Sequence, residues 1–233
     1  MDDEYLECEK NWLFTLLMFV GGYYGTFTYS IRGGVFCNAQ TANFVLCALA
    51  IGNMQFQKAA YYLIPMSAYL LGTIVSEVIA KPLKKLHMIR WDTLLILIEM
   101  IVVIILGFIP EKAPYQITQI IINFICSMQY NTFRQANGIP MATTFCTNHL
   151  RQFGVAIVKT LKGHNEYNER LISHLRMLLV FVLGGISGTI LCKQFLGKGI
   201  WGVLIPLGVA FLRLVYADRK KERALIDQIP RGH

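Results

Sequence analysis

Two short stretches hold the side chains best suited to gripping a ligand. The first, GGVFCNAQTANF, sets Asn38, Gln40, Thr41 and Asn43 directly after a glycine pair and carries no charge. The second, GIPMATTFCTNHL, sets Thr144, Thr147, Asn148 and His149 after Asn137-Gly138. Amides, hydroxyls and a neutral imidazole donate and accept hydrogen bonds without a fixed charge, so their chemistry is recognition more than acid–base work. Gly33, Gly34, Gly138 and Pro140 interrupt a helix where they stand, so short helices should begin near residues 39–41 and 143–147. Helix beginnings carry partial positive charge and unbonded amides, which suit an anionic or hydrogen-bonding solute. The competing role is packing, because Asn, Thr and Gln also join helices in lipid.

Gln129, Asn131, Thr132, Arg134 and Gln135 interrupt an otherwise apolar run. Helical spacing sets Asn131, Arg134 and Gln135 on one face, which must point inward. Gln129 and Arg134 therefore join the candidate substrate contacts, with snorkelling or pairing as the alternative for Arg134. Glu99 stands in LLILIEMIVVI. A carboxyl at that depth must be protonated, paired or facing water, which makes it the proton-coupling candidate, with a structural hydrogen bond as the alternative. Cys146-x-x-His149, with Cys37 and Met141 elsewhere, is too sparse to predict a metal. No G-x-S-x-G, H-E-x-x-H, phosphate loop or dinucleotide fingerprint occurs, so no catalytic residue and no cofactor is expected, and the chain does not read as an enzyme.

The elements that hold these groups should be membrane helices. Of 233 residues, 55% are hydrophobic and 15% charged, with a mean hydropathy of +0.46, which excludes a water-soluble globule. Apolar runs at 11–31, 59–80, 92–109, 115–136, 171–192 and 199–216 approach the length needed to cross about 30 Å of hydrocarbon. Stretches 33–53 and 138–162 are more polar and read as interrupted or re-entrant segments. The first run lacks a basic leader and a cleavage site, so it should stay in the mature protein. The six cysteines are dispersed and read as reduced packing residues.

The net charge of +8 reads as orientation and not as a nucleic-acid footprint. Lys81, Lys84, Lys85 and Arg90 form one basic loop; Arg219, Lys220, Lys221 and Arg223 lie in the tail; Arg151, Lys159, Lys162 and Arg170 fall within 138–170. All should be cytoplasmic, whereas 33–57, without Lys or Arg, should be external. Six crossings with both termini inside satisfy these assignments, and so does a seven-crossing variant with 33–53 spanning and the amino terminus outside.

The two polar stretches also resemble each other. An offset of 105 pairs Gly33 with Gly138 and Asn43 with Asn148; an offset of 106 pairs Thr41 with Thr147 and Asn43 with His149. Gly72-Thr73 has a counterpart in Gly188-Thr189. With three crossings in each half, the second half must enter the membrane from the opposite face. The fold expected is therefore all-α: a polytopic membrane helical bundle whose six main helices form a 3+3 inverted repeat with two interrupted segments. Residues 1–110 make the first repeat, 111–217 the second and 218–233 a basic cytoplasmic tail. Gly21-x-x-x-Gly25, Ala68-x-x-x-Gly72-x-x-x-Ser76 and Gly184-x-x-x-Gly188 let helix backbones approach closely, within the chain or in a homodimer.

These residues resemble the YoaK-like family of small bacterial integral membrane proteins, a domain of unknown function. Phe36, Asn38, Gln40, Thr41 and Asn43 look like its first hallmark; Gln129, Arg134 and ATTFCTNHLR look like its second. The resemblance covers nearly all of the chain. Three departures stand out: Gly25 where many relatives have an acid, Ala42 in place of the glycine of a T-G-N triplet, and Asn148-His149 in place of G-N. If that acid couples transport in relatives, this chain couples differently or not at all. The resemblance implies the bacterial cytoplasmic (inner) membrane and the six-helix layout, and no activity.

The function expected is that of a transporter or permease. A small polar or anionic solute would bind at mid-membrane, between the two interrupted segments, and cross by alternating access. Two other classes stay open: a non-transporting scaffold or sensor in which the same residues only fix packing, and a small-solute channel. The lipid bilayer is the implied partner and nucleic acid is not.

Overall fold

The computed structural model describes residues 5–83, 89–226, 228 and 230. Asp2, Asp3, Glu4, Lys84, Lys85 and the side chain of Lys81 lie outside the described residues. The chain is all-helical apart from one pair of two-residue strands: α1 (Asn11–Ile31), α2 (Gln40–Gly52), α3 (Phe56–Leu83), α4 (Trp91–Gly107), α5 (Tyr115–Thr132), β1 (Gln135–Ala136), β2 (Ile139–Pro140), α6 (Thr147–Leu161), α7 (Asn168–Phe195) and α8 (Leu204–Tyr216). Each apolar run expected to be helical overlaps one of these helices, and α2 and α6 begin where the sequence predicts short helices. By length and composition, two helical stretches among the described residues could cross a membrane, Phe56–Ile79 and Asn165–Lys221. The latter includes α7 and α8 and is broken at Leu196, whose φ is +51°.

Two boundaries differ from the expected runs. The run 115–136 leaves the helix after Thr132: Phe133 is extended, and Asn137 (φ 47°) and Gly138 (φ 74°) turn a two-residue antiparallel hairpin. Asn-Gly suits both positive-φ positions of such a turn. The run 199–216 is α-helical only from Leu204, after 3-10 turns over Leu196–Val203. Those turns fit tightly, since a Cβ on Gly197 would stand 2.2 Å from Nη2 of Arg32.

Packing falls into two groups of helices. α1 lies along α7, and α6 covers α7; α5 lies along α3, and α2 covers α3. α4 and α8 pack on each other, α4 reaching α5 and α8 reaching α1. Exchanging α1 with α5, α2 with α6, α3 with α7 and α4 with α8 leaves this pattern unchanged. α1 and α5 run in opposite directions. Just beyond the end of α5, Asn137 N donates to Glu9 O near the start of α1 (2.8 Å), and near the start of α5 Nε2 of Gln119 donates to Arg32 O at the end of α1 (2.6 Å).

A buried ionic knot ties one end of the bundle together. The Arg90 guanidinium lies 3.5 Å from Asp218 and 3.6 Å from Glu222, and Thr93 donates to Asp218. The Glu7 carboxylate accepts from Lys10, Lys221 and Trp12, each at 2.9 Å. Burial pushes the Glu7 carboxyl up, but these three donors outweigh it and hold it down at about 2. Burial pushes the Glu222 carboxyl above its usual range. The start of the basic tail is thus docked against the beginnings of α1 and α4. At the opposite end Arg32 is fully buried, 3.5 Å from Glu111, and Gly197 N donates to that carboxylate (2.7 Å).

Candidate functional site

After α1 ends at Arg32, the chain turns back along it. Nδ2 of Asn38 donates to Gly21 O (2.9 Å), midway along α1, and α2 starts from that level. The second polar stretch arrives at the same place. A Cβ on Gly21 would stand 2.6 Å from Thr143 O, and a Cβ on Gly25 would stand 2.9 Å from Nδ2 of Asn38. The absence of side chains at Gly21 and Gly25 therefore lets both tips rest on α1 at mid-length, a use beyond the helix–helix contact the spacing suggests.

Two clefts adjoin where the tips meet. The more polar one, of about 510 Å³, is lined by Asn38, Gln40 and Thr41 from the first tip, by Thr147, Asn148 and Arg151 from the second, and by Tyr69 and Phe145. The other, of about 460 Å³, shares Asn38, Ala39, Phe145 and Thr147 with it and is walled by Tyr29, Phe36, Thr144 and Phe181. Among the described residues Arg151 is the one charged residue lining either cleft, and its Nη2 donates to Oδ1 of Asn148 (3.1 Å).

Of the residues proposed from sequence, Asn38, Gln40, Thr41, Thr144, Thr147 and Asn148 line these clefts. Gln40 also works structurally, donating to Oδ1 of Asn123 (2.8 Å) and to Cys37 O (3.1 Å). Asn43 and His149 are fully buried behind the clefts. Asn43 closes its own turn, accepting from Phe36 N (3.1 Å) and donating to Phe36 O (2.6 Å). His149 bonds Ala142 O through Nε2 (2.9 Å) and meets Nδ1 of His174 at 3.0 Å. With Nε2 donating to a carbonyl, Nδ1 of a neutral His149 accepts, and His174 supplies the proton between the rings.

Gln129 is buried in α5, with Nε2 3.5 Å from both Leu17 O and Thr143 O. Arg134 lies away from the clefts. It pairs with Glu77 at 2.9 Å and caps the end of α5 through Asn131. Glu99 is fully buried, with neither carboxyl oxygen bonded among the described residues. All six cysteines are free, and only Cys146 is half-buried. Among the described residues no group of three or more His, Cys, Asp and Glu could hold a metal.

Sequence reading missed Arg151, Tyr69, Phe145 and Phe181 as lining residues. For Arg151 a signal existed: it follows Thr147 by four residues and Asn148 by three, so all three share one helical face. Tyr69 and Phe181 have no such signal, since a ring in an apolar helix looks the same whether it meets lipid or a cleft. The buried amides Gln119 and Asn123, which join the network around the first tip, were also missed.

A family described as "Protein of unknown function (DUF1275)" matches residues 13–213, and the chain belongs to it. No curated protein and no solved structure matches the chain.

Proposed function

We propose that this member of the DUF1275 family is a membrane carrier for a small polar or anionic solute, bound where the two interrupted segments meet. The observation that carries the reading is the polar cleft between two helix beginnings, lined by residues of both tips and by one guanidinium. In this reading α1, α3, α4, α5, α7 and α8 cross a bacterial inner membrane with both termini cytoplasmic, while α2 and α6 are re-entrant. The exchangeable packing pattern and the opposed directions of α1 and α5 favour a 3+3 inverted repeat. The narrower resemblance to the YoaK-like family agrees with this layout.

The moving parts in this carrier would not be the two sequence halves. α1, α6 and α7 form one group and α2, α3 and α5 the other, so each group takes helices from both halves. The polar cleft lies on their boundary, and rocking one group against the other would open it to either face. Glu99 would ride in α4 as a neutral acid, the proton-coupling candidate.

A second reading, a scaffold without transport, has its own support. Gln40, Asn43, Asn123 and Gln119 bond to one another and to nearby backbone, which is how packing amides behave. Uptake into proteoliposomes separates the two. Thr41→Val and Thr147→Val remove two cleft hydroxyls at constant shape. In the carrier, the double variant loses saturable uptake of a solute found by stabilisation screening while its melting temperature stays unchanged. Undiminished uptake in that variant sinks this site.

A further inference from the structure

We infer that the two clefts form a single site for an amphipathic organic anion, a molecule with one anionic head and an aromatic or short aliphatic body. Its head would pair with Arg151 and its body would lie against Phe145, Phe36 and Phe181. This rests on the solute-site reading above and goes further by naming the ligand's chemistry.

Continuity comes first. The clefts share Asn38, Ala39, Phe145 and Thr147, so they meet along these residues, and a molecule longer than one cleft reaches the other past them. The two ends then differ in what they offer. One presents hydroxyls, amides and a guanidinium; the other presents aromatic rings and the bare backbone of Gly22 and Gly25, and its hydroxyls of Thr26, Ser30 and Thr189 are spent on carbonyls of their own helices. A wholly polar solute leaves the second end unfilled, and a wholly apolar one strands the first.

The charge decides the sign of the head. Arg32, Arg90 and Arg134 each stand opposite a carboxylate. Arg151 instead bonds to neutral Asn148, and no carboxylate pairs with it among the described residues. It sits one turn into α6, beside outward-facing Leu150 and Val155. Arg151 is exposed, and a guanidinium at membrane depth is expensive unless water or an anion compensates it; its planar fork matches a carboxylate in two parallel hydrogen bonds. A single guanidinium implies a single head. Size excludes a bare inorganic ion as the fitted ligand, because each cleft, at about 460 and 510 Å³, falls in the range of pockets for organic molecules.

The test uses the purified full chain in nanodiscs, with binding read by calorimetry and by thermal shift. Four probes dissect the ligand: phenylacetate, its neutral analogue phenylacetamide, acetate as a head alone, and oleate as a head on a lipid chain. Phenylacetate or oleate should bind about tenfold or more tightly than acetate or phenylacetamide, as expected for losing either the body or a charge-assisted pair. Which of the two binds tells a soluble acid from a membrane one. Arg151→Gln should remove the preference for acid over amide, with melting of the empty protein unchanged, and Arg151→Lys should restore part of it. Phe181→Ala should weaken phenylacetate binding and leave acetate binding unaltered.

Equal affinity for phenylacetate and phenylacetamide overturns the role of Arg151. Acetate matching phenylacetate overturns the apolar half of the site. No binding of any of the four overturns the inference altogether. The carrier reading then stands or falls on uptake of other polar solutes and the Thr41→Val, Thr147→Val comparison.

Discussion

Gly184→Ala tests the close approach of α1 to α7 on which the first group of helices depends. A Cβ on Gly184 would stand 2.0 Å from Phe19 O, and one on Gly22 would stand 2.0 Å from Phe181 O. A carbon meets a carbonyl oxygen comfortably at about 3.3 Å, so each methyl overlaps its neighbour by roughly 1.3 Å. The obstacle in both cases is main chain, which cannot rotate away as a side chain can; the helices must part. Overpacking of this kind costs about 1–3 kcal/mol, while exchanging Gly for Ala within a helix returns up to about 1 kcal/mol. Because the obstacle is main chain, the cost falls at the upper end of that range, and the net loss of about 1–2 kcal/mol should lower the melting temperature by roughly 2–8 °C for a chain of this size.

Gly154 in α6 supplies the opposite case. No heavy atom lies within 4 Å of its would-be Cβ. Gly154→Ala should be neutral or raise the melting temperature by a few degrees through helix propensity alone, by about 1 kcal/mol at most. Melting is followed by the loss of the monodisperse peak of purified, detergent-solubilised protein in size-exclusion chromatography after a temperature series. Gly22→Ala and Gly184→Ala should combine with less than additive loss, since one separation of the helices relieves both clashes. If both single variants melt with the wild type, or if Gly154→Ala falls as far as they do, the tight α1–α7 seam is wrong.

Four further outcomes follow from the same contacts. The Glu7 carboxyl is lowered from 4.5 to about 2 in the folded chain. Its contribution, up to about 3 kcal/mol, is therefore present above pH 4.5 and lost as pH falls through about 2, and Glu7→Gln should flatten that acid limb of a stability–pH curve. Arg90→Leu strands Asp218 and Glu222 in a buried place and should destabilise by about 3–5 kcal/mol in denaturant or thermal unfolding. Asn43→Ala leaves Phe36 N without its acceptor; in a variant whose only cysteine is Cys37, which is now buried, maleimide labelling should turn from slow to fast. Met54→Cys should label only from outside cells and Lys162→Cys only from the cytoplasmic side, and labelling of both from one face contradicts the proposed topology.

Much of the fold is legible because long apolar runs bounded by glycine or charge are local signals. The beginnings of α2 and α6 follow from Gly33, Gly34, Gly138 and the polar residues after them. The end of α5 does not, although its signal exists: Asn137-Gly138 is a hairpin dipeptide, but the apolar run before it hides the earlier exit at Phe133. The 3-10 turns before α8 depend on Gly197 passing Arg32, a contact between residues far apart in the chain that no local pattern announces. The candidate site divides in the same way. Polar tips are visible in the sequence; whether an amide turns toward a cleft or toward its own backbone is not. Asn38 and Asn43 have the same side chain, five residues apart, and only tertiary contacts set one at the cleft and the other in a closed turn.

The distribution of bonds at the tips bears on how such a carrier could move. Each tip is held firmly by its own group of helices. The first is fixed by Gln40 to Asn123 of α5 and by α2 lying on α3; the second by His149 to His174 and by α6 lying on α7. Toward the other group each tip has a single side-chain-to-carbonyl link, Asn38 to Gly21 O from the first and Gln129 to Thr143 O for the second, the latter stretched to 3.5 Å. A neutral hydrogen bond contributes about 1 kcal/mol net, and its donor can be satisfied again by water entering an opening cleft. Separation at the tips therefore breaks weak, replaceable bonds while the paired amides and imidazoles travel intact with their helices; the other links between the groups, Gln119 to Arg32 O and Asn137 N to Glu9 O, lie at the two ends of α1, away from the tips. In the proposed carrier that asymmetry would give Asn38 and Gln129 a role different from solute contact, as the latches between the two groups on whose boundary the exposed Arg151 lines the polar cleft.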